Sequence, residues 1–544
     1  MNQLFYGDNL TIMQQMGKDA VDLIYLDPPF NSKKDYNLLY RNMTGKPVPE
    51  QVEAFCDTWE MDADKENIAR TMPVLMREYG IDDYYVQFWK LWMLALRNTQ
   101  PHLLAYLIYM VQRLLHMKVL LRPTGSLYLH CDPSASHYIK IMMDGIFGHR
   151  NFRNDIIWKR TTVHSDSKTW SRVTDNILFY TKSDKFTWNA PRELHSGKYL
   201  ADKYGSDDGD GRKYTLDNMT SPNPRPNMMY EWKGFAYPAK GWRYKKETMQ
   251  RLDEDGRIWY PTSKDGSLDT SRRPRLKRYL DEMQGQGQVM GNVWTDISPV
   301  NSQARERLGY PTQKPISLLD RIIKASSNRG EIVFDPFCGC GTTIYSAIEN
   351  GRQWIGCDIA ILSIRLIRER LTEKYHLVEG VNYEIDGIPV SVEQAEMLFK
   401  RDPFQFQHWA VERIGGFPMQ KKVADKGIDG RIYFETPNGL RDMVLSVKGG
   451  NIRPTDIRDL RGVLEREDDS VLAGFISLHE PTRAMREEGS RAGIFEYGGV
   501  NYERMQFLTI REVLEEKREF HTPGKLGIRG STGQSNLPLV EKGG

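Results

Sequence analysis

Four consecutive residues near the N-terminus have the chemistry to hold a planar amine. Asp27-Pro28-Pro29-Phe30 directly follows an apolar run at residues 21–26. An exocyclic amine of adenine or cytosine is a poor nucleophile, because its lone pair is delocalised into the ring. The Asp27 carboxylate and the Pro28 carbonyl can each accept an amine hydrogen, and Phe30 offers a face for stacking. Aligning two reactants in this way lowers a reaction barrier substantially, but the same residues also suit a plain proline turn after a strand.

A glycine turn far along the chain has the pattern of a nucleotide-binding site. A predicted strand leads into Asp335, the turn contains Gly339 and Gly341, and a predicted helix follows. Glycine lets the backbone bend sharply and approach a ligand closely, and a helix N-terminus attracts electron-rich groups. Asp358 ends the next predicted strand, where an acid accepts hydrogen bonds from ribose hydroxyls in nucleotide folds. The succession of strand, glycine turn, helix and strand-ending acid favours a ligand site. A glycine turn alone would be about as likely to be a structural turn in an ordinary α/β protein as a ligand site.

Predicted strands and helices alternate around both motifs. Residues 21–26, 127–132 and 354–358 have the apolar character of strands, and the first of these runs suits a buried parallel strand. Residues 82–117 and 316–326 carry apolar side chains at helical spacing. The predicted fold class is therefore α/β, with both motifs at the ends of strands.

Together these motifs resemble those of the β-class DNA amino-methyltransferases, in which the catalytic tetrapeptide precedes the cofactor loop. Residues 7–10 resemble the family's third cofactor strand, and residues 310–315 resemble the motif that closes over the methionine end of the cofactor. The resemblance implies S-adenosylmethionine as the cofactor. It assigns catalysis to Asp27, Pro28, Pro29 and Phe30. It assigns cofactor binding to Asp8, Asn9, Lys314, Pro315, Asp335, Phe337, Gly339, Gly341, Thr342 and Asp358.

The same resemblance implies a circularly permuted, Rossmann-like methyltransferase sheet and a site-specific reaction on double-stranded DNA. The target base would have to flip out of the duplex to reach the catalytic motif. Aspartate at the first catalytic position favours adenine N6 as the target, and cytosine N4 is the alternative. Two other hypotheses stay open: a restriction or DNA-binding protein whose methyltransferase half is only a scaffold, and a methyltransferase acting on RNA or protein.

The family resemblance and the changes in composition together divide the chain into five predicted regions. Residues 1–181 carry the catalytic part of the methyltransferase and residues 301–385 the cofactor-binding part. Between them, residues 182–300 are predicted to recognise the DNA target through the basic run at residues 271–278. Aromatic residues are scattered there (Tyr230, Trp232, Trp242, Trp259 and Tyr260), and those near basic residues suit packing against displaced bases, although a solvated basic loop fits as well. Residues 400–521 form a further α/β domain, and residues 522–544 a disordered tail.

The C-terminal region resembles the PD-(D/E)xK nuclease core in its Mrr-type restriction-endonuclease form. The matching residues are Asp429 and, on the next predicted strand, Ser446-Val447-Lys448. The resemblance implies a Mg²⁺ site formed by Asp429 and Glu412, with Lys448 placing the attacking water. Ser446 departs from the family, which has Glu or Gln there, and a hydroxyl is a weaker metal ligand. Cleavage, DNA binding without cleavage and a plain two-stranded turn therefore all stay open.

The composition of the whole chain says less about function than the motifs do. The formal charge of the 544 residues is only +3, so any contact with nucleic acid must depend on local charge. The five cysteines form no Cys-x-x-Cys pair, which predicts reduced thiols and a cytoplasmic location. The N-terminus lacks the features of a signal peptide. Charged residues such as Arg113 interrupt the most apolar stretch, which predicts a buried helix and no membrane span. A homodimer is considered as the oligomeric state.

Overall fold

The computed structural model describes most of the chain. The described residues are 2–29, 36–38, 52–55, 59–163, 169–193, 197–209, 211–283, 288–301, 304, 306–308, 313–419, 427–436 and 439–524. Phe30, residues 310–312 of the predicted cofactor-closing motif and residues 525–544 of the predicted tail lie outside them. The chain divides into two compact units, one formed by residues 1–189 with 292–544 and the other by residues 190–291.

The elements of the first 291 residues follow in chain order. The first unit opens with β1 (Asn2–Tyr6), α1 (Asn9–Gln15), β2 (Val21–Leu26), β3 (Tyr36–Leu38), β4 (Val52–Phe55), α2 (Ala63–Glu78), α3 (Asp83–Thr99), α4 (Pro101–Leu120), β5 (Leu121–Cys131), α5 (Pro133–Met143), β6 (Phe152–Lys159) and β7 (Thr174–Thr181). The second unit contains β8 (Arg192–Glu193), α6 (Gly197–Lys203), β9 (Ser206–Asp207), β10 (Lys213–Asn218), α7 (Lys246–Glu254), β11 (Ile258–Trp259), β12 (Arg275–Tyr279), α8 (Leu280–Met283) and β13 (Gln288–Val289).

The chain then returns to the first unit. It continues with β14 (Val293–Trp294), α9 (Ile316–Ser326), β15 (Ile332–Asp335), α10 (Thr342–Glu349), β16 (Gln353–Asp358), α11 (Ile361–Glu373) and β17 (Tyr383–Asp386). The C-terminal elements are α12 (Val392–Arg401), α13 (Pro403–Arg413), β18 (Phe417–Pro418), β19 (Gly430–Thr436), β20 (Gly439–Lys448), α14 (Pro454–Arg466), β21 (Ser470–Ser477), α15 (Arg483–Ser490), β22 (Ile494–Tyr497), β23 (Val500–Glu503), β24 (Met505–Thr509) and α16 (Ile510–Leu514).

The first unit is built around a nine-stranded sheet in the order β14-β6-β7-β5-β2-β15-β16-β1-β17. Its central strands β5, β2, β15, β16, β1 and β17 pair in parallel, whereas β7 is antiparallel to both β5 and β6. Parallel strands end at the same edge of a sheet, where α/β proteins bind their ligands. The residues that follow β1, β2, β15 and β16 therefore meet at one edge, although they are up to about 350 positions apart in sequence.

Helices cover both faces of this sheet, which explains why all six residues of β2 are buried. Ile24 and Leu26 face the apolar cluster under α2 to α5, while Leu23 and Tyr25 face the cluster under α9 to α11. This alternation is what a strand with both faces covered requires. The continuous apolar run is thus explained by packing on two sides.

Helix α4 is the one helix among the described residues that is long and apolar enough to cross a membrane. Within that apolar stretch, 72% of the residues are buried inside the protein. Its Arg113 is only 3% exposed and donates to side chains of the sheet edge. The helix therefore has the position of a core helix, as the interrupted apolar pattern predicts.

The C-terminal elements form a five-stranded sheet in the order β18-β19-β20-β21-β24. Strands β19 and β20 pair antiparallel, whereas β20 with β21 and β21 with β24 pair in parallel. Phe406 and Trp409 of α13 belong to the same buried cluster as Leu4 and Tyr6 of β1. The apolar core is therefore continuous from the nine-stranded sheet into the C-terminal elements.

The unit of residues 190–291 contains a four-stranded sheet in the order β11-β12-β10-β9. Trp232 and Trp242 are 4% and 0% exposed and form its apolar core. Burial leaves these two rings no accessible face, so packing against displaced bases is excluded for them; for the other aromatic residues of the region it stays a prediction. Within the predicted basic run, Lys277 is paired with Asp208 at 2.7 Å, whereas its three N-terminal arginines are exposed, at positions 272, 273 and 275.

Candidate active site

The edge where the parallel strands end opens into a cavity of about 990 Å³, a volume that includes solvent at its mouth. The predicted site residues that line it are Asp8, Asn9, Asp27, Pro28, Pro29, Lys314, Asp335, Phe337, Gly339, Thr342 and Asp358. Pro315 and Gly341 are not among the lining residues, but each is next to one in the sequence. Phe30 lies outside the described residues. The fold thus brings the acidic proline motif and the distant glycine turn to one cavity.

The glycine turn is held in place by the acid at the end of β16. Gly339 donates its backbone N–H to Asp358 Oδ2 at 2.8 Å, and Ala360 donates to Asp358 Oδ1 at 2.9 Å. Gly341 has φ +84°, and a Cβ there would lie 2.7 Å from Ile367 Cγ1. Only glycine fits that position without strain or displacement of the neighbouring side chain.

Two carboxyl groups of the cavity are buried and hold the turn from inside. Asp335 accepts hydrogen bonds from the Phe337 N–H at 3.0 Å and the Thr343 hydroxyl at 2.5 Å. Burial raises the pKa of Asp335 to about 7, and the neighbouring Asp27 and Asp358 carboxylates add to the rise. Burial likewise raises the pKa of Asp358 to about 6. The cavity therefore disfavours negative charge and would favour a ligand that brings a positive one.

The raised pKa of Asp335 predicts a loss of stability as pH rises. The folded protein binds this proton more tightly than the unfolded chain, because the folded pKa is about 7 and the ordinary value is 3.8. The stabilising effect is complete at acid pH and is lost as pH rises to about 7. Between pH 5 and 8, we expect the wild type to lose about 3 kcal/mol more unfolding free energy than Asp335→Asn.

Denaturant unfolding of both proteins at the two pH values measures this difference. Asp386→Asn, at the exposed end of β17, is the matched control and should follow the wild type. Equal pH dependence in the wild type and Asp335→Asn would show that Asp335 is ionised in the folded protein throughout.

Asp27 directly follows β2, and its two carboxylate oxygens have different surroundings. Oδ2 accepts a short hydrogen bond from Lys314 Nζ, which forms an ion pair with it. Oδ1 is buried and has no hydrogen-bond partner among the described residues. A buried acceptor without a donor is costly, so a polar ligand group in the cavity would satisfy it.

Arg113 is a contributor to the site that sequence reasoning did not assign. Its guanidinium donates to Asp8 Oδ2 and to Asn9 Oδ1, both at 2.7 Å. Asn9 in turn donates to the Pro336 carbonyl at 2.7 Å. The Tyr109 ring lines the cavity and lies 3.3 Å below the guanidinium carbon. Asn9 therefore positions the neighbouring loops, and the lone arginine inside an apolar helix was the signal that could have revealed the contact.

A second group that sequence reasoning missed lies beneath Asp27. The Tyr25 hydroxyl lies 2.9 Å from His130 Nδ1, and His130 Nε2 lies 3.1 Å from Asp175 Oδ2. Asp175 also pairs with Arg160 at 3.2 Å. Burial and nearby carboxylates, Asp27 first among them, raise the pKa of Tyr25 well above its ordinary value. This chain of polar contacts ties β2 to β5 and β7 below the site.

The residues of the predicted nuclease-like site are only partly together. Asp429 Oδ2 accepts from the Val447 N–H at 2.6 Å and from the Ser446 hydroxyl at 3.4 Å, while Lys448 ends β20. No group of three or more His, Cys, Asp or Glu side chains that could hold a metal occurs in the described part of the chain. The Mg²⁺ site therefore stays a prediction.

Glu412, the third residue of that predicted site, lies against the nine-stranded sheet. Burial raises its pKa to about 8, whereas Arg365, the Ile361 N–H and the Tyr6 hydroxyl oppose the rise. Its neighbours are thus residues of β1 and α11. The four described cysteines, Cys131, Cys338, Cys340 and Cys357, are buried and none forms a disulfide with another described residue.

Comparison with known proteins matches more than half of the chain to one family. The N6/N4 DNA methylase family model matches residues 21–369. The Type II methyltransferase M.EcaI of Enterobacter cloacae is 32% identical over 269 residues, which cover 49% of this chain and 57% of the relative. The StyLTI Mod subunit of a Type III restriction-modification enzyme from Salmonella typhimurium is 25% identical over 388 residues, covering 66% and 52%.

A shorter match has higher identity. The DNA adenine methyltransferase YhdJ of Escherichia coli is 48% identical over 88 residues, which cover 16% of this chain and 30% of the relative. The chain spans about half the length of the first two curated relatives.

Proposed function

Because the chain belongs to the N6/N4 DNA methylase family, we propose that it transfers a methyl group from S-adenosylmethionine to an exocyclic amine of a DNA base. One observation supports this above all: Asp27 and the glycine turn with Asp358 line the same cavity. A base amine held by the first and a methyl donor held by the second would face each other in line. The strand order, with β1 and β2 beside the later β15 and β16, fits the permuted connectivity that we propose for the sheet.

The residues present fit S-adenosylmethionine. Asp358 lies where the ribose hydroxyls of a nucleotide bind, and the N-terminus of α10 suits the carboxylate of the methionine. Asp8, which follows β1, lines the cavity and is proposed to approach the adenine ring. The cofactor supplies an electrophilic methyl group on a positively charged sulfur, and that charge suits a cavity whose acids are buried.

The residues that follow β2 would bind and orient the target amine. We propose that Asp27 and the Pro28 carbonyl accept its two hydrogens, which directs the nitrogen lone pair at the methyl group. Pro28 is buried, and its ring limits the directions that the carbonyl can take. Phe30 is proposed to stack on the base. A base in a duplex cannot reach this cavity, so we propose that it flips out of the stack.

Adenine N6 is the proposed target. Aspartate at position 27 favours adenine within the family, and the match to an adenine methyltransferase agrees with this choice. Cytosine N4 is the alternative, since the family includes both chemistries. As StyLTI Mod is a subunit of a restriction-modification enzyme, we propose the same setting for this chain. The homodimer stays a prediction.

The purified chain, incubated with unmethylated duplex DNA and S-adenosylmethionine labelled in the methyl group, tests the proposal. We expect label in DNA, recovered as N6-methyladenine after digestion to nucleosides, and sequencing of methylated positions would identify the target site. Label recovered as N4-methylcytosine would change the target base. Label in RNA or protein and none in DNA would contradict the proposed substrate.

As a second function, we propose that the C-terminal elements contact DNA through a nuclease-like site. Its support is the position of Asp429 against β20, one strand residue away from Lys448, in a sheet with an antiparallel pair followed by parallel strands. The same DNA incubated with Mg²⁺, or with chelator, and run on a gel shows whether it is cut. Intact DNA that still binds would indicate the non-cleaving form expected from Ser446, with Asp429→Asn as the comparison.

A further inference from the structure

The ion pair between Asp27 and Lys314 is a contact within the cavity that joins residues 287 positions apart. Both side chains are mostly buried, at 15% and 12% exposure. Among the residues described as lining the cavity, Lys314 is the one lysine or arginine. The positive charge of Lys314 therefore offsets the negative charge of Asp27, which otherwise lies near the Asp335 carboxyl.

The segment that carries Lys314 is fixed by its own hydrogen bonds. Gln313 donates to the Glu306 carbonyl at 2.6 Å and accepts from the Leu308 N–H at 2.8 Å. The Glu306 carboxylate accepts from the Ile316 N–H at 3.1 Å, at the start of α9. A lysine on an anchored segment holds its partner in a defined orientation, because less of its freedom remains to be lost on pairing.

The pairing makes the two oxygens of Asp27 unequal. Oδ2 is occupied by Lys314, and Oδ1 is buried without a hydrogen-bond partner among the described residues. A carboxylate with both oxygens free can accept a hydrogen in several orientations. A carboxylate held at one oxygen presents the other in one direction, which is the condition for aligning an amine with a methyl donor.

We propose that Lys314 is a positioning residue for methyl transfer: it holds Oδ2 of Asp27 and thereby presents Oδ1 to the target amine, an inference that rests on the proposed function. In the step itself the sulfur–methyl bond breaks with its electron pair retained on sulfur, and the nitrogen–methyl bond forms from the amine lone pair. The proton that the methylated amine then loses passes to Oδ1. Lys314 keeps its charge throughout.

This role differs measurably from the cofactor contact that the family resemblance implies for Lys314. A residue that binds the cofactor lowers the dissociation constant of the cofactor, so replacing that residue weakens cofactor binding. A residue that orients Asp27 acts on the reacting amine, so its loss slows the reaction even when the cofactor is saturating.

The test compares Lys314→Gln and Lys314→Arg in the full chain. S-adenosylmethionine affinity is measured by calorimetry without DNA, and the methyl transfer rate is measured in a single turnover with cofactor and DNA saturating. We expect Lys314→Gln to slow transfer by about thirtyfold or more and to change cofactor affinity by less than about threefold. Lys314→Arg, which keeps the charge and a donor, should recover most of the lost rate. Lys324→Gln, an exposed lysine on α9, is the matched control and should transfer at the wild-type rate.

The outcomes separate the hypotheses. A Lys314→Gln variant with weakened cofactor binding and an unchanged saturated rate would overturn the proposal and support the cofactor contact. If Lys314→Gln does not fold, Lys314→Met, which keeps the length of the side chain without its charge, takes its place: a slowed saturated rate with normal cofactor affinity supports the proposal, and a normal rate with weakened affinity overturns it. Failure of the proposed function has a different signature, since the wild type itself would then methylate no DNA.

Discussion

Replacing Asp27 by alanine is expected to slow methyl transfer to DNA by about a thousandfold, while S-adenosylmethionine still binds. The carboxylate is the acceptor that follows β2, and its Oδ1 is buried without another partner among the described residues. Without it, nothing at that position accepts the amine hydrogen or directs the lone pair. Losing one directed hydrogen bond in a transition state typically costs 10²–10³-fold in rate, and lost alignment adds to this. Single-turnover transfer with labelled cofactor measures the rate, and calorimetry measures cofactor affinity.

Two further variants separate chemistry from folding. Asp27→Asn keeps the volume and one carbonyl acceptor but loses the charge that pairs with Lys314, so an intermediate loss of rate is expected. Asp19→Asn makes the same change just before β2, at the opposite edge of the sheet, where Asp19 pairs with Lys182 at 2.6 Å. It should leave transfer unchanged. Wild-type transfer by Asp27→Ala would remove Asp27 from the catalytic site.

Replacing Asp358 by alanine is expected to weaken S-adenosylmethionine binding by about a hundredfold. The carboxylate ends β16, and its proposed ligands are the ribose hydroxyls. Hydrogen bonds to a charged acceptor contribute about 1.5–3 kcal/mol each, and a hundredfold change corresponds to about 2.7 kcal/mol. The same carboxylate accepts from the Gly339 N–H, so its loss also releases the glycine turn. Titration calorimetry without DNA measures the change.

The controls distinguish ribose binding from support of the turn. Asp358→Asn retains a carbonyl acceptor for Gly339 and should lose less affinity than Asp358→Ala. Asp386→Ala, at the exposed end of β17, should bind the cofactor normally. If Asp358→Ala binds with wild-type affinity, the ribose contact must be assigned to another residue. If Asp358→Ala instead loses affinity and also melts far below the wild type, the released turn and not the missing ligand contact accounts for the loss.

Much of the element pattern could be predicted because local physics determines it. The apolar run that became β2 and the amphipathic run that became α9 have the predicted bounds, since burial on two faces and helical spacing leave one consistent structure. Residues 82–117, whose apolar residues have helical spacing, lie in two helices, α3 and α4, with Pro101 at the start of the second. Proline is favoured at the first position of a helix, and the residue before it is disfavoured in the helical conformation.

The order of the motifs and the family resemblance also allowed most residues of the candidate site to be predicted from the sequence. Asp27, Asp335 and Asp358 each end or follow a strand, and parallel strands end at a common edge whatever their separation along the chain. The residue types therefore determined which groups can accept a hydrogen, bend a backbone or bind a ribose. These three aspartates line one cavity because the chain has the α/β fold that the apolar pattern already predicted.

Other features depended on contacts that no local pattern records. Lys314 matched a cofactor motif, yet its ammonium group pairs with Asp27. Glu412 was predicted as an additional acid of the nuclease-like site, yet its neighbours include Tyr6 of the nine-stranded sheet. Trp232 and Trp242 looked like base-stacking rings and are core residues. Sequence determined the chemistry available at each position, because a side chain carries its own donors, acceptors and charge. Tertiary structure alone decided the partner of each group, because pairing depends on distances between segments that approach only when the whole core has packed.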